Sequence, residues 1–165
     1  MLLDPKRAAD SETEMVQVVL PNDANPLGFI LGGTVMHLID IAGAIACHRH
    51  TRSLLVTAAV DDLQFLHSIK VGDLIILKAH VTCVFTTSLE VHVDVYSEEI
   101  LTGKRQLTSQ AFLTFVAIDR NGGKVRVPPL VVETEEEKRV CEEAHARRAE
   151  RLSRKFQVTS HKSFG

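Results

Sequence analysis

No uncharged apolar run in this 165-residue chain is long enough to cross a bilayer. The longest, residues 25–39, stops at Asp40 and falls short of the ~20 residues a spanning helix needs. No apolar segment follows Met1-Leu2-Leu3-Asp4-Pro5-Lys6-Arg7, so no signal peptide is expected and the chain reads as cytoplasmic. Cysteine is scarce: Cys47, Cys83 and Cys141 are odd in number and lack framework spacing, which argues against a disulfide scaffold and suits a reducing compartment. Charge of neither sign dominates. Nineteen basic residues against 21 acidic ones leave a formal charge of -2, and nothing in that total implies a nucleic-acid partner. There is no internal repeat, and no serine sits in a Gly-x-Ser-x-Gly setting, which excludes an α/β-hydrolase. What remains is a globule, 45% hydrophobic with mean hydropathy +0.06, expected to fold as one domain with a real core.

The most informative stretch runs from Pro21-Asn22-Asp23-Ala24-Asn25-Pro26-Leu27-Gly28 through Gly32-Gly33-Thr34 into an apolar segment. A turn-forming loop meets paired glycines, and these open a helix expected over residues 34–48. Val35, Leu38, Ile39, Ala42, Ile45 and Ala46 follow the i, i+3, i+4, i+7 rule, and Met36, Gly43, Ala44 and Cys47 leave the other face small or apolar too. Such a helix belongs in the middle of a protein, with Met36 expected in the core. Asp40 interrupts it, and an unpaired buried carboxylate is expensive unless it is bonded or kept for chemistry. His48, Arg49 and His50 fall in the last turn, where positive charge suits the dipole.

Strand signals follow one another from there. A β-rich run at 15–20 precedes the helix; after it come an apolar-leaning run at 54–59 that continues through Leu63, Phe65 and Ile69, a long strand at 74–85, and another at 107–118. Between these, Leu89, Val91, Val93 and Val95 alternate with Glu90, His92, Asp94 and Tyr96, the pattern of a half-exposed strand. One long helix followed by consecutive strands, with no helices between them, implies an α+β fold in which an antiparallel sheet curves around that helix. Pro128-Pro129 is expected to end the core. Beyond it lies a charged helical tail, acidic first and basic later, with Glu135/Arg139, Glu143/Arg147 and Glu150/Arg154 as i,i+4 pairs. The basic end could meet a phosphate or a neighbouring subunit, or form a solvated face. The expected organisation is an N-terminal extension (1–12), a folded α+β domain (13–130) and the tail (131–165).

Several separated blocks carry a family resemblance: Asp23-Ala24-Asn25, Gly32-Gly33-Thr34, Ile39-Asp40-Ile41-Ala42-Gly43-Ala44-Ile45, residues 61–65, Val71-Gly72-Asp73, Thr87-Ser88-Leu89-Glu90-Val91 and Phe115-Val116-Ala117-Ile118-Asp119. In this order and spacing the chain resembles the acyl-CoA hydrolase branch of the hotdog-fold thioesterases, over roughly residues 15–128. That group contains cytosolic long-chain acyl-CoA hydrolases and single-hotdog bacterial relatives. One departure is Leu31, where many relatives carry His or Phe before the glycine pair. The resemblance implies hydrolysis of fatty acyl-CoA to a fatty acid and coenzyme A, with no cofactor required beyond the coenzyme A carried by the substrate. It implies a catalytic pair at Asn25 and Asp40, and a homodimer with a continuous sheet, assembled further into a hexamer.

The residues themselves say what each group could contribute. The first turn at Gly32-Gly33-Thr34 exposes backbone N–H groups at the positive end of a dipole, a cradle for an oxyanion. Asp40, expected to be desolvated by Ile39 and Ile41, is suited to be a general base, or else a nucleophile giving an anhydride. Asn25 could donate to the thioester carbonyl or orient water. Seven residues separate Asp40 from Gly33, about 10 Å along a helix at 1.5 Å per residue, so one chain's glycine turn and its own Asp40 can hardly reach the same carbonyl carbon. A working site is therefore expected to join Asn25 and the glycine turn of one subunit to Asp40 of another. Thr87, Ser88, Lys124 and Arg126 are candidate contacts for the phosphates and ribose of coenzyme A, or else ordinary turn and surface residues.

Cys47 and His50 share a helix face, but His48 does not join them and no fourth ligand is evident, so no metal is expected. Two rivals stay open at this level. A non-catalytic acyl-CoA-binding regulatory module would keep the fold without the chemistry, although the fourteen residues before Met15 leave no room for a DNA-binding domain. A hotdog dehydratase would need a histidine ahead of the helix, whereas His37 falls inside it.

Overall fold

The computed structural model describes residues 3–161, with side chains described to residue 158. Met1 and Leu2 of the expected N-terminal extension, and residues 162–165 of the tail, lie outside the described residues. The chain divides into two compact units, Met1–Val131 and Val132–Gly165.

In the first unit the strands β1 (Lys6–Arg7) and β2 (Thr13–Val18) precede one long helix, α1 (Gly32–Thr51). Four strands then follow without an intervening helix: β3 (Leu54–Phe65), β4 (Leu74–Val84), β5 (Ser88–Glu98) and β6 (Arg105–Ile118). With β2 they form a five-stranded antiparallel sheet in the order β2-β4-β5-β6-β3. This is the arrangement expected when strands joined by short loops have a single amphipathic partner to cover. Val35, Leu38, Ile39, Ala42 and Ala46 of α1 pack with Ile75, Leu77, Val81, Leu89, Val91, Val93, Val95, Leu113 and Phe115 of the sheet in one buried cluster. Gly43 makes the close approach possible: a Cβ there would stand 3.1 Å from Val91 Cγ1 and 3.3 Å from the Phe115 ring. The helix ends at Arg52 in the left-handed region (φ 52°), whose N–H closes on the His48 carbonyl at 2.8 Å.

The structure corrects several expectations. The helix is longer than 34–48 at both ends, because Gly32 and Gly33 join its first turn and the basic turn continues to Thr51. Its apolar face is not continuous around the axis. Met36 is 45% exposed rather than in the core, since the sheet lies on one side of the helix only. β3 stops at Phe65, and Ile69 is buried from the loop beyond it. The polar face of β5 is not half-exposed throughout: Glu90 is fully buried and accepts a hydrogen bond from Thr82 Oγ1 at 2.7 Å. Val127 and Pro128 are the last buried residues of this stretch, Pro129 being exposed. The chain continues into β7 (Leu130–Val131), which pairs in parallel with β1, and Ala8 and Ser11 of the N-terminal segment are buried. His50, buried in the last turn of α1, donates from Nε2 to the Pro128 carbonyl at 2.8 Å.

The second unit carries α2 (Glu135–His161). Thr134 caps its start, accepting from the Glu137 N–H at 3.0 Å, and three acids in the first turn suit the dipole. Glu150 and Arg154 pair as expected, but Arg139 bonds Glu136 and Glu143 rather than Glu135. Positions three and four apart are both neighbours on a helix, so one guanidinium fork can serve two carboxylates.

Candidate functional site

The loop before α1 is built by its own sequence. Asn25-Pro26-Leu27-Gly28 forms a turn closed by the Gly28 N–H on the Asn25 carbonyl at 3.0 Å, with Pro pre-set for the second position. Gly28 takes φ +83°, a conformation L side chains rarely adopt. The Asn25 N–H then reaches the Phe29 carbonyl at 2.8 Å, and the Val71 N–H ties Gly28 to the next loop at 3.0 Å. Inside this turn Asn25 Oδ1 accepts from the Leu27 N–H at 3.0 Å and the Phe29 N–H at 3.2 Å. Two backbone donors on the oxygen assign the carboxamide orientation, so the NH₂ is the end that can donate to a ligand.

Six residues on, the Leu31 N–H bonds the Asp23 carbonyl at 2.8 Å and the helix begins with no side-chain cap and no acid in its first turn. The first backbone N–H to find a helical carbonyl is that of Val35, on Leu31 at 3.1 Å. The N–H groups of Gly32, Gly33 and Thr34 therefore face outward at the positive end of α1. Gly33 has nothing within 4 Å of where a Cβ would stand, which leaves room for a ligand atom. Beside it, a cleft of about 240 Å³ runs between the helix start and the loop after β3.

Asp40 lies further along α1, partly exposed, and accepts a hydrogen bond from Thr57 Oγ1 at 2.7 Å. The desolvation expected from Ile39 and Ile41 is not supplied within one chain. Ile39 turns into the core at 1% exposure, whereas Asp40 points along the helix flank toward β3. Thr57 was missed from sequence. The strand's two-residue alternation places it on the same face as Leu55, toward the helix, but nothing local says which helical residue it meets. β3 is an edge strand, and Leu54, Val56, Val60 and Phe65 along it are 44–51% exposed.

Within one chain these groups do not converge. Asn25 and the glycine turn sit where Phe29 bridges Lys70 and Phe65 faces Ser109, while Thr57 is registered with Phe115 toward the other end of the sheet. Thr87, Ser88, Lys124 and Arg126 collect at that other end. Leu54 pairs with Ile118, Ile118 bridges Lys124, the Thr87 carbonyl accepts from the Ala117 N–H, and the Thr86 carbonyl accepts from the Val127 N–H. So the turn residues and the two basic residues share one sheet end, away from Asn25. Cys47 is buried, and burial pushes its thiol far above the range of a nucleophile.

A family model described as thioesterase superfamily matches residues 27–104. An uncharacterized acyl-CoA thioester hydrolase of Bacillus subtilis is 41% identical over 153 residues, covering 92% of this chain and 89% of its own. The human cytosolic acyl coenzyme A thioester hydrolase is 33% identical over 146 residues, 87% of this chain, and the chain spans 38% of its length. Among solved structures, an apo-hexameric acyl-CoA thioesterase superposes with TM-score 0.87 at 42% identity, covering 92% of this chain and 97% of that one. The acyl-CoA hydrolase of Staphylococcus aureus, in complex with butyryl coenzyme A, coenzyme A and coenzyme A disulfide, superposes with TM-score 0.86 at 31% identity, covering 96% and 97%. The same enzyme has been crystallised with alanine in place of an Asn, an Asp and a Thr.

Proposed function

Since the chain belongs to the thioesterase superfamily, among its acyl-CoA thioester hydrolases, we propose that it hydrolyses fatty acyl-CoA to a free acid and coenzyme A, in sites shared between two copies. The observation that carries this reading is the separation of Asp40, hydrogen-bonded to Thr57, from the Asn25 loop and the glycine turn of its own chain. Both halves adjoin the same apolar edge strand. Thr57 stands toward one end of β3 and Phe65, against Gly32, at the other. Two β3 edges running antiparallel across a two-fold axis midway between these residues, at Asp61, would set Thr57 of one copy opposite Phe65 of its twin. That operation brings one Asp40 to the other's Asn25, buries the exposed apolar side chains of β3 and closes an unprotected sheet edge. The three alanine positions in the S. aureus enzyme are spaced as Asn25, Asp40 and Thr57 are here, which adds support. The hexameric relative supports further assembly of such dimers.

In this site the thioester oxygen rests on Asn25 Nδ2 and the N–H groups of Gly32, Gly33 and Thr34. These donors gain strength as the oxygen becomes an oxyanion. Acting as base, Asp40 takes a proton from water while the water oxygen bonds the carbonyl carbon. The C–S bond then breaks and the proton passes to the departing thiolate. Acting as nucleophile, its carboxylate displaces the thiolate to give an anhydride, which water opens to the acid and free Asp40. Thr57 holds the carboxylate in one orientation on either route. No cofactor is needed for either. The phosphates and ribose of coenzyme A would meet Thr87, Ser88, Lys124 and Arg126, which lie on the Asp40 side of the partner. Among the described residues no helix is long and apolar enough to cross a membrane, and the name of the human relative supports a cytoplasmic location. Asp40→Asn is expected to remove thiol release from acyl-CoA while the protein still folds and binds coenzyme A; full activity in that variant would overturn the proposal.

A further inference from the structure

The basic end of α2 has no part in the proposed chemistry, and we infer that it binds an anionic lipid surface. From Ala144 to Val158 the helix carries Arg147, Arg148, Arg151, Arg154 and Lys155 against a single acid, Glu150. Helical spacing sorts these residues into faces. Arg148, Leu152 and Phe156 follow one another at four-residue steps and Lys155 stands three beyond Leu152, so the four share a face about 12 Å long. Arg151 borders it, three residues from Arg148 and four from Lys155. Glu150 and Arg154 pair with each other on the opposite side. Phe156 is 83% exposed and Leu152 43%. This stripe suits a protein surface poorly. A helix packed on protein presents an apolar arc of about 100° or more, and burying this one would strip water from two cations. A headgroup layer takes both kinds of side chain. The ring and the leucine enter the acyl boundary, while the long cationic stems reach out to anionic lipid. The acids of the first turn, Glu135, Glu136 and Glu137, limit the contact to the C-terminal half of the helix.

Each basic residue held near such a surface strengthens binding by about five-fold, so Arg148, Arg151 and Lys155 together supply roughly a hundred-fold. Partial burial of Phe156 adds about ten-fold. The assay is sedimentation of the full chain with vesicles of phosphatidylcholine alone and of phosphatidylcholine mixed with phosphatidylserine, at low and at high salt. No acyl-CoA is present, so the result stands apart from the thioesterase reading. Binding to the mixed vesicles only, weakened by salt, is expected. The triple variant Arg148→Gln, Arg151→Gln, Lys155→Gln should bind roughly a hundred-fold more weakly and Phe156→Ser about ten-fold. Arg154→Gln, on the far side of the helix, should change the affinity by less than about three-fold. Gel filtration of each variant should give the wild-type size. Sedimentation with neither vesicle, equal sedimentation with both, or an unchanged affinity in the triple variant would overturn the inference. A loss in Arg154→Gln as large as in the triple variant would overturn the assigned face. Dissociation of the assembly by the triple variant or by Phe156→Ser would also overturn the inference, because this face would then be a contact between copies.

Discussion

Sharing the site between subunits makes a sharp prediction for mixed oligomers. Asn25→Ala removes a donor to the oxyanion, a loss of about 10²–10³ in kcat by comparison with other oxyanion holes, and Asp40→Asn removes the base or nucleophile. Each variant alone is nearly inactive. In a dimer containing one of each, one site receives both damaged groups, and the other receives Asn25 from one chain and Asp40 from its twin, both intact. Random pairing puts about half of the dimers in this mixed state, with one good site of two, so a co-expressed 1:1 mixture should recover about one quarter of the wild-type rate. Against the residual rate of either variant, that is a gain of roughly 25- to 250-fold. The two chains would carry different affinity tags; purification through both selects the mixed dimers, whose one intact site of two should give about half the wild-type rate of thiol release, roughly 50- to 500-fold above either variant. If Asn25 and Asp40 of the same chain served one carbonyl, every site in the mixed dimer would carry one lesion. No gain in the doubly purified fraction would therefore refute the two-copy site.

Thr57→Val should lower kcat roughly ten-fold with little change in KM. The lost bond is to a charged group but partly exposed, which puts it at the low end of the ~1.5–3 kcal/mol range, and Thr57→Ser should restore the rate. Gly43→Val should cost about 1–3 kcal/mol in urea unfolding, because its Cβ would press on Val91 and Phe115 at 3.1 and 3.3 Å; an unchanged midpoint would contradict the packing of α1 described above. Burial lowers the His50 pKa from its ordinary 6.5, against the opposing pull of the Pro128 carbonyl, and Nδ1 has no buried partner for a second proton. The unfolded chain therefore binds more protons than the folded one below about pH 6.5, and stability should fall as pH drops through that value. His50→Gln, which can still donate to Pro128, should flatten this slope in urea titrations between pH 7.5 and 5.5, and an undiminished slope would count against it.

Local chemistry determines much of this fold. The apolar spacing of residues 35–46 identified the central helix, and the alternation of Leu89, Val91, Val93 and Val95 identified a strand whose inner face is fully buried. Asn25-Pro26-Leu27-Gly28 has the residue types its turn requires, because the proline ring and a positive φ at glycine act within four residues of each other. The separation of Asp40 from Gly33 could also be computed, since helical rise is a local constant. Other features depend on which surfaces meet. Thr57 finds Asp40 across 17 residues, β1 finds β7 across more than a hundred, and Gly32 finds Phe65 only after the chain has turned at Arg52 and β3 has run its whole length as the edge strand. Burial of Glu90 and exposure of Met36 run against their types for the same reason: a residue's environment depends on what packs over its face, and a period in the sequence does not contain that information. Sequence alone thus determined the central helix, the long strands and the turn that holds Asn25. Only tertiary structure decided that Thr57 orients Asp40, and that the helix start shares its cleft with Phe65.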